Sequence, residues 1–218
     1  MVQQHSSWQQ RRRQMVERQL VRRGIRDRRV LSAMLEIPRE RFVPEAVRGA
    51  CYEDEPVPIG HGQTISQPYI TALMAQCLEL EGHETVLEIG AGCGYHTALL
   101  ARLAARVIAI EIVPALAEMA RQNLSAAGHD SNVELICGDG SMGWPREAPY
   151  QGVSVAAAAP EVPFALLDQL GDPGRLVIPV GTLADQDLRV ITRSQGRLET
   201  RVASMCRFVP LRGRQGWK

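Results

Sequence analysis

Hydrophobic positions near the middle of the chain change their spacing twice within one short stretch. An apolar run over residues 86–89 leads into a glycine-rich segment, 90–94, and residues 97–103 then follow helical spacing. A second apolar run over 107–110 ends at an acidic residue, Glu111. This pattern predicts a strand, a glycine turn, a helix and a second strand, which together make one βαβ unit.

Two short helices are predicted before this unit, within residues 14–36. The apolar residues of the first helix lie among charged ones, and Gly24 marks its end. Asp27 is a suitable N-cap for the second helix. We therefore expect a helical cap over residues 14–50 that packs on the main domain.

Residues 52–68 show no periodicity, and their prolines and glycines are expected to prevent regular structure. A long loop of this kind is either functional or disordered. The segment has no charge run and no low complexity, which favours a functional loop. Pro68 is expected to begin the helix that follows.

The second half of the chain continues the alternation of helices and strands. Helices are predicted over 114–128 and 164–170, and strands over 133–136, 153–159 and 176–180, followed by an antiparallel pair over 187–193 and 198–209. These elements predict an α/β protein with a mostly parallel sheet and an antiparallel C-terminal part. Residues 212–218 have no pattern, and we expect a mobile tail there.

The glycine turn and Glu111 both fall at carboxyl ends of parallel strands, where ligands bind in such sheets. Glycines allow a ligand to approach the backbone, and an acid about 20 residues later can hold ribose hydroxyls. Tyr95 stands where a dinucleotide pattern requires its third glycine, and the one lysine, Lys218, excludes a Walker phosphate loop. The turn therefore indicates a nucleoside-bearing cofactor, and the alternative is a tight turn in an unrelated α/β protein.

Composition indicates one globular domain, since the chain has 218 residues with 45% hydrophobic and 22% charged residues. No apolar run approaches the roughly 20 residues of a membrane span, and the N-terminus lacks the apolar core of a secretory signal. We therefore expect a cytoplasmic protein without a membrane partner. Five dispersed cysteines predict neither disulfides nor a metal site, and Cys93 is interpreted as a small residue in the turn.

Positive charge is concentrated at the N-terminus, where residues 1–41 contain eleven arginines and four acidic residues. A basic segment of this kind can contact nucleic acid. The segment has one aromatic residue, Trp8, and so lacks the side chains that stack on bases. We interpret the arginines as a solvated helix face and expect no nucleic-acid partner.

Six motifs follow one another along the chain: GQTISQP (62–68), VLEIGAGCGY (86–95), GDG (138–140), AAPEVP (158–163), GDPGRLVIPVG (171–181) and RFVPL (207–211). Together they resemble protein-L-isoaspartate O-methyltransferases over residues 15–211. The first motif is the most specific, because glycine turns occur in many methyltransferases.

The resemblance implies a Rossmann-like class I methyltransferase fold, a three-layer sandwich with an N-terminal helical cap. Residues 14–211 would form a single domain, with a substrate loop over 52–68 and a cofactor-binding core over 84–181. The sequence leaves open whether the arm of residues 1–13 is ordered or disordered.

The resemblance also implies an activity. The cofactor would be S-adenosyl-L-methionine, and the methyl acceptor would be the free α-carboxylate of L-isoaspartyl residues in damaged proteins and peptides. The methyl ester would then close to a succinimide, which begins repair. Isoaspartyl proteins and peptides are thus the expected partners, and we expect a monomer.

Site residues are carried over by position. The cofactor site would comprise Glu88, Gly90, Ala91, Gly92, Gly94, Glu111, Ile112, Asp139 and Gly140. The acceptor site would comprise Gln63, Thr64, Ile65, Ala157 and Pro160, with Ser66 as the catalytic hydrogen-bond donor and no metal. A carboxylate acceptor is already ionised at neutral pH, so it needs positioning more than a general base. Without the resemblance, Ser66 is equally a helix N-cap and Asp139 the start of an Asx turn.

Two positions depart from the family's usual residues, namely Gln151, where Asp is usual, and Ala156, where Thr is frequent. Residue 151 opens its strand, far from the predicted site, whereas residue 156 lies near it. Two alternatives stay open: a paralogue that methylates a different carboxylate, and a non-catalytic binding protein on the same scaffold.

Overall fold

The computed structural model describes residues 2–217, with side chains from Ser7 onward. Its strands are β1 (Val57–Gly60), β2 (Gln63–Ile65), β3 (Thr85–Ile89), β4 (Arg106–Glu111), β5 (Val133–Cys137), β6 (Tyr150–Val155), β7 (Leu170–Gly181), β8 (Gln186–Ser194) and β9 (Arg197–Cys206). Its α-helices are α1 (Val2–Met15), α2 (Arg28–Glu36), α3 (Pro68–Leu78), α4 (Tyr95–Leu103), α5 (Pro114–Ala127) and α6 (Phe164–Asp168). Short π and 3-10 turns lie between several of these elements.

Seven strands form one sheet in the order β5-β4-β3-β6-β7-β8-β9. The pairs from β5 to β7 are parallel, and the pairs β7–β8 and β8–β9 are antiparallel. This confirms the predicted fold class. The carboxyl ends of β3, β4, β5 and β6 therefore share one edge of the sheet.

Alternate residues of the central strands pack on opposite faces of the sheet. Val86 and Val107 join a core that includes side chains of α3, α4 and α5, while Leu87 and Ile108 join a second core with Leu166 of α6. Because both faces are covered, the central strands are apolar almost throughout. Within residues 2–217, no helix combines the length and the apolarity that crossing a membrane requires.

The N-terminal cap has the two helices that the pattern predicts. Winding continues past α1 through Val16–Leu20 and Val21–Arg23 to Gly24, which has a φ of 92°. Asp27 caps α2, since its carboxylate accepts hydrogen bonds from the amides of Arg29 and Val30. The cap packs against α3 and α4.

Residues 2–13, whose order the sequence leaves open, are helical and continuous with the cap. Arg12 lies in a buried network, where it donates to Tyr52 Oη at 2.9 Å and to Glu40 Oε1 at 3.0 Å. These contacts join residues 28 and 40 positions apart in the sequence. Apolar periodicity does not report a buried ion pair, so this network could not be predicted from the sequence pattern.

Part of the segment 52–68 is regular, contrary to the expectation from its prolines and glycines. β1 and β2 form an antiparallel hairpin whose turn places His61 and Gly62 at φ values of 53° and 70°. Pro58 is tolerated because each strand of a two-stranded sheet leaves one side unpaired. We call residues 51–66, which enclose this hairpin, the acceptor loop.

The C-terminal residues 212–217 are packed against the domain, so the expected mobile tail is wrong for them. Trp217 Nε1 donates to the carbonyl of Ala158 at 2.9 Å, and Gln215 Oε1 accepts from the amide of Ala165 at 3.1 Å. Gly213 lies so close to Asp139 that an added Cβ would come within 2.0 Å of its carboxylate. These contacts are with backbone and side chains distant in sequence, so no local pattern announces them.

Glu88 carries a carboxyl group into the core of the sheet, where it is 0% exposed. Its Oε2 accepts a hydrogen bond from Thr97 Oγ1 at 2.5 Å, and Oε1 has no partner among the described residues. Burial raises the pKa of Glu88 to about 8, helped by the negative charge of Glu111 and opposed by the Thr97 hydrogen bond. The carboxyl group is therefore protonated at neutral pH.

Replacing this carboxyl group should remove a pH dependence of stability. Between the ordinary pKa of 4.5 and about 8, the folded chain keeps a proton that the unfolded chain loses, so stability falls as pH rises. We expect the free energy of unfolding of Glu88→Gln to rise relative to that of the wild type by up to about 1.4 kcal/mol per pH unit across this window. Urea unfolding at several pH values measures the difference.

The control for this experiment is Glu84→Gln. Burial raises the pKa of Glu84, but amide hydrogen bonds from Glu81 and Gly82 outweigh it and lower the pKa below its usual value. Glu84 is then ionised above about pH 5 in both the folded and the unfolded wild-type chain. The free energy of unfolding of this variant should therefore differ from that of the wild type by an amount that does not change with pH. A constant difference for Glu88→Gln as well would contradict the protonated state of Glu88.

Candidate active site

One cavity of about 820 Å³, counting the part open to solvent, lies at the carboxyl edge of the parallel sheet. Its wall is formed by Gln63, Thr64, Ile65, Ser66, Thr71, Ile89, Gly90, Ala91, Gly92, Cys93, Tyr95, His96, Ile110, Glu111, Ile112, Val113, Gly140, Ala156, Ala157, Val209, Pro210, Leu211 and Arg212. We call it the donor cavity. The structure thus brings eleven of the fifteen predicted site residues into one wall.

The glycine turn between β3 and α4 forms one side of the donor cavity. Gly90, Gly92 and Gly94 have φ values of 89°, 55° and 88°, which other residues adopt only with strain. Gly94 faces away from the cavity, where an added Cβ would lie 3.2 Å from the backbone of Ala120 in α5. Two of the three glycines therefore border the cavity, and the third permits close helix packing.

Glu111 connects the glycine turn to the end of β4. Its Oε2 accepts from the amide of Gly92 at 2.8 Å, and its Oε1 accepts from the amide of Val113 at 2.9 Å. The carboxylate is only 5% exposed yet lies in the cavity wall. Each carboxylate oxygen accepts up to two hydrogen bonds, so capacity remains for ligand hydroxyls.

Asp139 lies outside the donor cavity, although its neighbour Gly140 is in the wall. Its Oδ1 accepts from the amide and the hydroxyl of Ser141, and its Oδ2 accepts from the amide of Arg214 at 2.9 Å. Burial raises the pKa of Asp139, but these hydrogen bonds outweigh it and hold the pKa below its usual value. In this structure the carboxylate holds the C-terminal segment, and its contact with adenine stays a prediction.

Three other predicted residues do not line the donor cavity. Glu88 is fully buried within β3, Gly94 packs against α5, and Pro160 is exposed. The local motif gave their positions in the chain but not the direction in which each side chain points.

Ser66 lies between the hairpin and α3 and borders the donor cavity. The N-cap position of α3 belongs to Gln67, and no side chain caps that helix. The hydroxyl of Ser66 is therefore not used as a helix cap. Thr64 is exposed beside it, whereas Ile65 is buried and fixes the strand.

A second cavity of about 810 Å³, again counting its open part, adjoins the donor cavity. The two cavities share four residues: Thr64, Ser66, Ala156 and Val209. The rest of its wall comes from residues 54–56, β9 and the segment after β9, together with Arg23, Gln67 and Ile70. We call it the acceptor cavity, because it leads from solvent to Ser66.

Sequence reasoning gave no site role to residues 209–212, which line the donor cavity. The RFVPL motif was the available signal, since it falls on three of them. His96 also lies in the wall, with Nε2 3.0 Å from Ser154 Oγ. Burial lowers the pKa of His96 to about 4, so the ring is neutral at pH 7.

No obvious nucleophile or metal site adds to this arrangement. Burial raises the pKa of the Cys93 thiol to about 11, so the thiol stays protonated. Across the part of the chain that the structure describes, no three His, Cys, Asp or Glu side chains are grouped as metal ligands. The geometry offers amides, hydroxyls and one carboxylate around a space that is partly open to solvent.

Comparisons with known proteins agree on one family. A family model described as Protein-L-isoaspartate(D-aspartate) O-methyltransferase matches residues 10–216. A protein-L-isoaspartate O-methyltransferase of Methanoculleus marisnigri is 52% identical over 207 residues, which cover 95% of this chain and 94% of that protein. A second relative, from Marinobacter nauticus, is 56% identical over 208 residues and 94% of each chain.

Solved structures give the same result. A protein-L-isoaspartate O-methyltransferase superposes with a TM-score of 0.84 at 30% identity, covering 94% of this chain and 67% of that one. A putative enzyme of this kind from Plasmodium falciparum, in complex with S-adenosyl-L-homocysteine, has a TM-score of 0.79 at 27% identity and covers 91% and 96%. The chain belongs to the protein-L-isoaspartate(D-aspartate) O-methyltransferase family.

Proposed function

We propose that this protein transfers a methyl group from S-adenosyl-L-methionine to the free α-carboxylate of L-isoaspartyl residues in damaged proteins and peptides. One observation carries the proposal: Ser66 lies where the donor cavity, with its glycine turn and Glu111, meets the acceptor cavity that opens to solvent. Methyl transfer requires two ligands to meet at one point, and this junction supplies it.

The residues of the donor cavity fit the proposed cofactor. Its wall is mainly apolar with a few polar groups, as is usual for small-molecule sites. Glu111 would accept hydrogen bonds from ribose hydroxyls, Ile112 and Val113 would contact the adenine, and the glycine turn would admit the amino-acid part. When bound, S-adenosyl-L-methionine supplies a methyl group on a sulfonium centre.

The residues of the chain would hold the acceptor carboxylate in place near the methyl group. A carboxylate is ionised at neutral pH, so no group has to remove a proton from it. Ser66 would donate a hydrogen bond to one carboxylate oxygen and leave the other oxygen directed at the methyl group. Thr64, which borders both cavities, would contact the acceptor directly. The acceptor would meet Gln63, Ile65 and Ala157 from the donor-cavity side, with Pro160 farther out. The nearby ring of His96 is neutral and already bonded to Ser154, so it is not poised as a general base.

Repair would follow from the chemistry of the product. A methyl ester has a better leaving group than a carboxylate, so the neighbouring amide nitrogen closes on it to give a succinimide. Hydrolysis of the succinimide returns part of the material to normal aspartate. The proposal includes a monomeric cytoplasmic enzyme without nucleic-acid or membrane partners. The monomer is supported by the fact that one chain forms both cavities.

The substrate is tested with two peptides that differ only in one linkage. We expect labelled methyl groups from S-adenosyl-L-methionine to appear as base-labile ester on an isoaspartyl peptide and to be absent from its normal aspartyl twin. The aspartyl peptide is the matched control for sequence and charge. If both peptides were labelled equally, or if neither were labelled, the result would contradict the proposed substrate and favour a paralogue with another carboxylate substrate.

The role of Ser66 is tested by Ser66→Ala. We expect kcat for the isoaspartyl peptide to fall on the order of 10- to 100-fold, because the acceptor oxygen is no longer held in line. Calorimetry should show an unchanged affinity for S-adenosyl-L-homocysteine. Ser204→Ala is the control, since Ser204 borders the acceptor cavity but not the donor cavity, and it should keep kcat within about twofold. Wild-type kcat in Ser66→Ala would refute a catalytic role for the hydroxyl.

A further inference from the structure

Among residues 7–217, the largest fully buried side chain is that of Arg39, which is 0% exposed. Arginine is almost never fully buried without a partner of opposite charge. Within residues 7–217, no carboxylate lies within ion-pair distance of Arg39, and the adjacent Glu40 is paired with Arg12. The position of Arg39 therefore calls for an explanation other than an ion pair.

The hydrogen bonds of Arg39 go to the two ends of the acceptor loop. Its Nε donates to the carbonyl of Cys51 at 2.6 Å, and its Nη2 donates to the carbonyl of Ser66 at 2.7 Å. The hairpin of β1 and β2 lies between these carbonyls in the chain. Because the guanidinium is planar and its N–H groups are fixed in a fork, the two bonds set the separation of the loop ends.

The same guanidinium also contacts the donor side of the site. Its central carbon lies 4.9 Å from the centre of the Tyr95 ring. Tyr95 borders the donor cavity and begins α4 directly after the glycine turn. A cation over an aromatic ring is attracted by the ring's negative face. The Tyr95 ring therefore holds the guanidinium in addition to its two hydrogen bonds.

We propose that Arg39 is a positioning residue that sets the distance between Ser66 and the glycine turn, and thereby between the acceptor carboxylate and the methyl group; this role rests on the proposed function. Arg39 touches neither ligand cavity and acts through the Ser66 backbone on one side and the Tyr95 ring on the other. Its Nη1 is buried without a partner among the described residues. Burying an unpaired donor is costly, which is the sign of a residue retained for geometry.

Arg39→Lys is the decisive variant, because it keeps the positive charge and removes the fork. We expect kcat for the isoaspartyl peptide to fall at least about 10-fold, since an ångström of misplacement is enough for such a loss. The affinity for S-adenosyl-L-homocysteine should stay within about threefold, because Glu111 and the glycine turn keep their own contacts. Arg39→Met, which removes charge and fork together, should lose no less activity.

The control is Arg29→Met. Arg29 also donates to two backbone carbonyls, those of Leu80 and Leu103, but it lines neither cavity. This variant should lose stability while its folded fraction keeps the wild-type kcat. All assays are run well below the melting temperature of each variant, so that loss of folded protein does not enter kcat.

A second readout does not depend on catalysis. Amide hydrogen exchange over residues 57–66 should accelerate at least about 10-fold in Arg39→Lys and stay at the wild-type rate in Arg29→Met. If the wild-type protein failed to methylate the isoaspartyl peptide, that result would contradict the proposed function. It would not change the hydrogen exchange expected for Arg39→Lys. Wild-type kcat and wild-type exchange in Arg39→Lys would overturn the positioning role, and so would an equal fall of kcat in Arg29→Met.

Discussion

The carboxylate of Glu111 is the interaction on which the donor side of the site depends. It accepts one amide hydrogen bond from the glycine turn and another from the residue after β4, so it fixes the end of one parallel strand to the turn that follows its neighbour. A buried carboxylate is costly unless it is hydrogen-bonded, and here the backbone supplies both bonds. The turn itself has three residues at positive φ and would not hold this shape without such support.

Around this point the structure separates two tasks. The sheet edge and the glycine turn form the donor cavity, whereas the acceptor loop and the segment after β9 lead a second ligand in from solvent. The cap links the two, because Arg39 reaches from it to the loop ends and to Tyr95. Burying the Arg39 cation and the protonated Glu88 costs stability. Proteins tolerate such costs at functional sites.

Much of this fold was predictable because its signals are local. Apolar runs, glycines and the Asp27 cap depend on neighbours in the chain, and they gave the parallel sheet, the glycine turn and the second cap helix correctly. The hairpin in the acceptor loop was missed, since a two-stranded sheet accepts prolines that periodicity treats as breaks. The segment 212–217 and the network of Arg12 were missed because their partners are distant in sequence.

The motifs predicted which positions form the site, but not the direction in which each side chain points. A motif says that Asp139 follows a strand, yet only the fold shows its carboxylate turned toward the amide of Arg214. The role of Arg39 could not be predicted from a sequence pattern, because it depends on hydrogen bonds to carbonyls that are distant in the chain. The family motifs supplied Ser66, and the junction of two cavities gives it a physical reason.

The central claim is that donor and acceptor meet beside Ser66. A crystal structure with S-adenosyl-L-homocysteine and an isoaspartyl peptide tests it most directly. The account predicts the nucleoside beside Glu111 and one oxygen of the α-carboxylate near Ser66, about 3 Å from the place of the transferred methyl carbon. A peptide bound away from the acceptor cavity, or a nucleoside bound away from the glycine turn, would contradict it.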